Sequence, residues 1–229
     1  MNMPDKAAAQ ERMTQTFQRS VVIVEDDSFL RSLTADALEK AGFLVSTAAT
    51  IADGRRVIRA VDPDAVVLDI DFGPGPTGFD LADAIRKSSP DIAIVFLTTQ
   101  PDPRFADRDA KSVSKSEAYL NKNLLSDTST LVEALEAVLT DGDVAEFRHH
   151  ELETRPLVSL SKTQVQVLKL LAAGKTNQQI ANERKRSLGA TESAITRTLE
   201  AIGIAGDAEI NARVAAAMKY AALVGAITE

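Results

Sequence analysis

Residues 65–71 read AVVLDID: an apolar run, Ala65–Leu68, closed by Asp69, with Asp71 two positions on. So short a run is no helix, and apolar character at every position is what a strand buried on both faces requires. The same signature recurs at Val21–Val24, Phe43–Val45 and Ile92–Leu97, and more weakly at Ala118–Leu120. Between the runs the apolar period lengthens to that of a helix, most clearly in Phe29–Ala41, Ile51–Val61 and Phe79–Ser88. After the fifth run, Thr128–Thr140 places Leu131, Leu135 and Val138 on one face. Strand and helix in alternation predict an α/β domain built on a doubly wound, five-stranded parallel sheet.

In such a sheet, functional groups collect at the carboxyl ends of the strands. Glu25, Asp26 and Asp27 follow the first run, Asp69 and Asp71 the third, Thr98 and Thr99 close the fourth, and Asn121 and Lys122 follow the fifth. Clustered carboxylates repel one another and favour a hard divalent cation with oxygen ligands. Mg²⁺ is the natural choice where a phosphoryl group must also be bound. An aspartate beside such an ion is a competent nucleophile toward phosphorus, and a threonine hydroxyl and a lysine ammonium then meet the phosphoryl oxygens.

Residues 21–140 resemble the receiver domain of bacterial response regulators, whose fold is flavodoxin-like. VVIVEDDSFLR is similar to the family's first strand and acidic pair, VVLDI to its phosphoacceptor strand, VFLTT to the strand with the hydroxyl, and AYLNK to the strand with the lysine. The resemblance implies Asp69 as phosphoacceptor, Glu25, Asp26, Asp69 and the Asp71 carbonyl as the Mg²⁺ site, Thr98 and Lys122 as phosphoryl contacts, and Tyr119 as the switch aromatic. It also implies a sensor histidine kinase as partner and a phosphoacceptor that supports its own phosphorylation and dephosphorylation without being a dedicated enzyme. Three departures stand out. The loop GPGPTG reaches Gly78 one residue late. Asn123 follows Lys122 where the family has proline. Asp71 adds a carboxylate, read either as a solvated loop acid or as a tuning group. The stretch QPDPRFADRDAKSVSKSE, residues 100–117, has two prolines and little apolar period, so the helix expected between the fourth and fifth strands is short or absent. The signal is then expected to leave through the fifth strand and Thr128–Thr140.

Beyond Arg155 the pattern is helical throughout. Ser161 with Gln164 and Thr176 with Gln179 fit capping boxes, and Gly174 ends the first helix. Helices are predicted up to Gly174, over Gln178–Arg184, over Leu188–Ile202 and over Ala208–Leu223, the tight pair and its follower forming a helix-turn-helix. LSKTQVQVLKLLAAGKTNQQIA, with AIGI at Ala201–Ile204, resembles the DNA-binding domain of the LuxR/FixJ/NarL group. That resemblance implies double-stranded DNA as partner and a homodimer on activation, paired through the last helix. Glu192, Ser193, Thr196 and Arg197 would lie on the outer face of the recognition helix and Arg184, Lys185 and Arg186 at its mouth.

Composition agrees. In 229 residues, 45% hydrophobic and 26% charged, there is room for two domains. The domains are predicted as a tail at 1–19, the receiver at 20–140, a linker at 141–157 and the helical domain at 158–229. The net charge of −7 is uneven: residues 1–155 hold 17 Lys and Arg against 27 Asp and Glu, residues 156–229 hold 9 against 6. With no Cys, thiolate metal sites and disulfides are excluded, and with only His149 and His150, read as a solvated linker pair, no histidine metal site is expected. No run is long enough to span a membrane and no signal peptide is legible, so a cytoplasmic protein that does not engage membranes is expected. A protein-interaction module that has lost DNA binding is the alternative, motivated by the few basic residues on the recognition helix.

Overall fold

A computed structural model describes residues 18–152, 159–204 and 211–224. The predicted tail therefore lies, up to residue 17, outside the described residues. Five strands, β1 Ser20–Val24, β2 Leu44–Ala48, β3 Ala65–Leu68, β4 Ala93–Thr98 and β5 Ala118–Asn121, form one parallel sheet in the order β2-β1-β3-β4-β5. Strand residues alternate between two cores. Val22, Val24, Val66, Leu68, Ile94 and Phe96 face α2 (Ile51–Val61) and α3 (Gly78–Ser88). Val21, Ile23, Val67, Val95 and Leu97 face α1 (Ser28–Lys40) and α4 (Ser129–Leu139). Burial on both sides explains why these strands read as unbroken apolar runs. The strand order reverses between β1 and β3, and a crevice opens at their carboxyl ends.

Between β4 and β5 no α-helix forms; two 3₁₀ turns, Pro103–Ala106 and Ala110–Ser112, stand there. Pro101 and Pro103 supply no N–H for a helical ladder and bias their predecessors toward extended backbone. Side chains hold the segment instead. Arg86 makes a two-pronged contact with Glu117, both at 2.7 Å, and donates to the Ser112 carbonyl at 2.9 Å. Arg108 reaches Asp80 at 2.7 Å and Asp83 at 3.0 Å.

The predicted linker corrects in part. Val144 and Phe147 are buried in the core beneath α4, and Arg148 bridges Tyr119 along the free edge of β5. The Arg148 guanidinium donates to the Glu117 carbonyl at 3.0 Å. His150 is 2% exposed, its ring 4.8 Å from that of Tyr119. His149 is half-buried, its Nδ1 accepting from the Asn121 N–H at 3.0 Å. The pair is therefore not solvated: the segment covers a sheet edge that would otherwise present unpaired backbone. Lack of a helical period hid this, because a 3₁₀ turn has none to show. Residues 153–158 lie outside the described residues.

This contact is pH-sensitive. Burial holds His149 below its ordinary value of 6.5, and Nδ1 accepts only while it carries no proton. A depressed folded value means stabilisation present above 6.5 and lost as pH falls through the folded value. The protection of amides across residues 144–151, taken relative to their intrinsic exchange at each pH, is expected to fall on acidification below 6.5 and to lose that dependence in His149→Asn. A flat profile in the wild type refutes the assignment.

The C-terminal helices are α5 Lys162–Ala172, α6 Asn177–Glu183, α7 Leu188–Ala201 and α8 Ala212–Leu223. Both capping boxes form, and Gly174 adopts φ +72°, the left-handed conformation that ends α5. Helix α8 is described from Ala212, where the Asn211 side chain caps the Arg213 and Val214 amides; the expected start at Ala208 falls in residues 205–210, outside the described residues. Val167, Leu171, Ile180, Ala194 and Ile195 lock α5, α6 and α7 together. Among the described residues no helix is long and apolar enough to cross a membrane.

Candidate functional site

Asp69 follows the last residue of β3 and is buried. Its Oδ1 accepts from the Ile70 N–H at 2.7 Å, which fixes the carboxylate, and its Oδ2 lies 3.2 Å from Lys122 Nζ. Lys122, just past β5, also donates to Glu25 at 2.6 Å. One ligand atom from each of Glu25, Asp26 and Asp69 lies within 4.8 Å of the others. Glu25 is 4% exposed, whereas Asp26 faces solvent. The register explains the convergence: Val24 pairs with both Ala48 and Leu68, so the residues after β1 and β3 emerge side by side.

The electrostatics follow from this crowding. Burial, then the adjacent Asp69 carboxylate, push Glu25 up to about 7. Burial raises Asp69 too, against the pull of Lys122, the Ile70 amide and the Thr98 hydroxyl. Burial lowers Lys122, but Asp69 and Glu25 outweigh it and hold the ammonium above its usual value. Two buried carboxylates with more negative charge than one ammonium balances are suited to a divalent cation, and an all-oxygen set suits Mg²⁺.

Thr98, the last residue of β4, is fully buried and accepts from the Gln100 N–H at 3.3 Å. Tyr119 is also fully buried, its hydroxyl donating to the Gln100 carbonyl at 3.0 Å. Asp71 is exposed but paired: its Oδ1 accepts from the Gly73 N–H at 3.1 Å and its Oδ2 from Gln100 Nε2 at 3.1 Å. Gln100 thus joins Thr98, Asp71 and Tyr119. Sequence reading passed it over, because a glutamine two places after a strand carries no signal until the loop is folded.

A second candidate surface is α7. Glu192, Ser193, Thr196 and Arg197 are all exposed on its outer face, while Thr191, Ala194, Ile195 and Thr198 turn inward. Lys185 and Arg186 are exposed ahead of it, Lys185 at φ +51°. Arg184 is half-buried, with Nε and Nη1 shielded from solvent.

A buried aspartate held by a lysine among acids at the switch point of a five-stranded parallel sheet, with a helix-turn-helix behind it, defines a signalling receiver coupled to an output domain. The response regulator receiver domain matches residues 21–136, and the luxR family of bacterial regulatory proteins matches residues 158–209. The chain belongs to the response regulator family, with an output domain of the luxR family. It is 40% identical over 81 residues to the photosynthetic apparatus regulatory protein RegA of Cereibacter sphaeroides, a match covering 35% of this chain and 43% of that protein. The stretch shared with RegA is thus less than half of RegA's length. A putative transcriptional regulator of Pseudomonas aeruginosa is 29% identical over 198 residues, covering 81% of this chain and 93% of that one. RcsB of Salmonella enterica, solved on promoter rprA with phosphomimetic BeF₃⁻, shares the fold with a TM-score of 0.59 at 18% identity, covering 92% of this chain and 100% of that one.

Proposed function

We propose that this chain is a cytoplasmic transcription regulator, phosphorylated on Asp69 by a sensor histidine kinase, whose phosphorylated form pairs and binds double-stranded DNA. One observation carries the reading: the Asp69 carboxylate is fixed by the Ile70 amide and Lys122 within reach of Glu25 and Asp26. Asp26, Asp69 and Glu25, with the Asp71 carbonyl, are the residues that would hold Mg²⁺. A divalent cation held there would neutralise charge on the attacking carboxylate and the phosphoryl oxygens. Asp69 attacks phosphorus and the phosphodonor's leaving group departs, giving an aspartyl phosphate. Lys122 then shifts its ammonium toward the phosphoryl oxygens, and the Thr98 hydroxyl donates to one of them. The chain is a phosphoacceptor and not a dedicated enzyme. The apolar hollow beside this site, lined by Leu30, Leu33, Leu97 and Leu125 with Lys122, suits a kinase's helical docking face.

DNA contact falls to Lys185, Arg186 and Arg197, with Ser193, Thr196 and Glu192 toward the bases. So few cations imply weak, shallowly salt-dependent binding by one domain, and pairing of two domains compensates. The test is a gel shift on the DNA upstream of the protein's own gene cluster, over a salt series. Phosphorylated protein is expected to bind at least about tenfold more tightly than unphosphorylated protein. No shift in either state, with phosphate fully incorporated, refutes DNA binding and favours a receiver-based interaction module.

A further inference from the structure

The segment that replaces the helix between β4 and β5 belongs to both domains. Phe105, at the centre of the Pro103–Ala106 turn, is fully buried among side chains of the helical domain: Leu160, Val165, Leu168, Ile202 and Ala216. Its ring stacks on that of Tyr220 in α8 at 6.0 Å. Around it, Arg104 donates to the Leu160 carbonyl, and Lys169 of α5 donates to the Phe105 carbonyl at 3.3 Å. Lys169–Asp107 at 3.8 Å and Lys162–Asp109 at 3.7 Å lie on an exposed rim and add little.

The other end of this segment is Gln100, and the coupling between the ends is stiff. Only Pro101–Arg104 intervene; both prolines fix φ. The Asp102 carboxylate accepts from the Arg104 backbone N–H at 2.9 Å and from its Nε and Nη2 at 2.8 and 2.6 Å. A displacement of Gln100 therefore reaches Phe105 rather than dissipating in the loop. Gln100 is held by three groups that a phosphoryl group on Asp69 disturbs. Its N–H rests on Thr98 Oγ1, its Nε2 on Asp71 Oδ2, and its carbonyl holds the Tyr119 hydroxyl. The phosphoryl group carries about two negative charges where the free Asp69 carboxylate carries one, and it draws the Thr98 hydroxyl to itself.

We propose that residues 100–109 form an intramolecular clamp: with Asp69 unmodified, Phe105 is seated between α5 and α8 and fixes the output domain on the receiver, and phosphorylation unseats it. This rests on Asp69 being the phosphoacceptor. Phosphorylation is thereby read directly by the helix that pairs output domains, by a route separate from α4 and the segment after it. Each contact exists only in the seated form, which gives the phosphate a differential interaction to act on.

The test uses the full chain, phosphorylated with acetyl phosphate and Mg²⁺, uptake being followed by intact mass. Amide exchange is measured over residues 162–172 and 212–223. Exchange there is expected to rise at least about tenfold on phosphorylation of the wild type, as opening a contact that includes an aromatic pair implies. Unphosphorylated Phe105→Ala should exchange at the raised rate already, with phosphate uptake unchanged, and Phe105→Leu should stay near the wild type. Full uptake with unchanged exchange overturns the clamp and leaves Asp69 standing. Failure of uptake overturns the phosphoacceptor reading and the clamp with it. Wild-type exchange rates in unphosphorylated Phe105→Ala overturn the role of Phe105.

Discussion

Asp69→Asn is expected to gain no phosphoryl group from acetyl phosphate and Mg²⁺, where the wild-type chain gains one. The effect is complete because no neighbour can substitute. Glu25 is buried and its carboxylate is held by Lys122 at 2.6 Å, so it is not free to attack. Asp26 is exposed, and among the described residues Lys122 donates to Glu25 and Asp69, not to Asp26. The amide in Asp69→Asn preserves shape, and its oxygen can still accept from the Ile70 N–H, so the fold should persist. Intact mass after incubation reads the result directly. Stoichiometric labelling of Asp69→Asn would place the phosphoacceptor elsewhere.

The second large effect is predicted for Gly78→Ala. Gly78 opens α3 at the return of the loop 71–77, and its N–H donates to the Ile70 carbonyl at 3.0 Å. A Cβ here would lie 1.9 Å from the Asp69 carbonyl oxygen and 3.0 Å from the Ile70 Cα. Both are backbone atoms just past the end of β3, so no side chain can rotate away. Either α3 retreats or Asp69 moves. A loss of about 1–3 kcal/mol is expected, the usual cost of overpacking, with slowed phosphate uptake as Asp69 leaves its place beside Lys122. Gly189→Ala is the matched control, since a Cβ there meets nothing within 4 Å. Urea midpoints for the two variants and the wild type check the difference. A Gly78→Ala midpoint equal to wild type would show that the loop yields at no cost.

Apolar runs followed by acids made the sheet and its working edge legible, because a strand buried on both faces leaves an unbroken signature and topology dictates where its end projects. Position placed Glu25, Asp26, Asp69, Thr98 and Lys122 at that edge together with Asp27, Asp71, Thr99 and Asn121, and the resemblance to receiver domains chose among them. The helix-turn-helix was legible from caps and one glycine. What stayed hidden was everything held by contacts distant in sequence. Gln100 gains meaning only when Asp71 and Tyr119 fold around it. His150 looks solvated until β5 presents an edge for its segment to cover. Phe105, in a stretch without period, gave no hint that its partners lay near residues 160–168, 202 and 216–220.

The seat of Phe105 also bears on how such proteins recombine. Output domains joined by linkers are exchangeable cassettes when each completes its own interior. Here the interior formed by Leu160, Val165, Leu168, Ile202 and Ala216 is completed by a residue of the preceding domain. A graft of residues 158–229 onto another receiver would carry a hole the size of a phenyl ring unless the new host presents an aromatic residue at the same place. Receiver and output domain of this chain are thus constrained to be inherited as a matched pair.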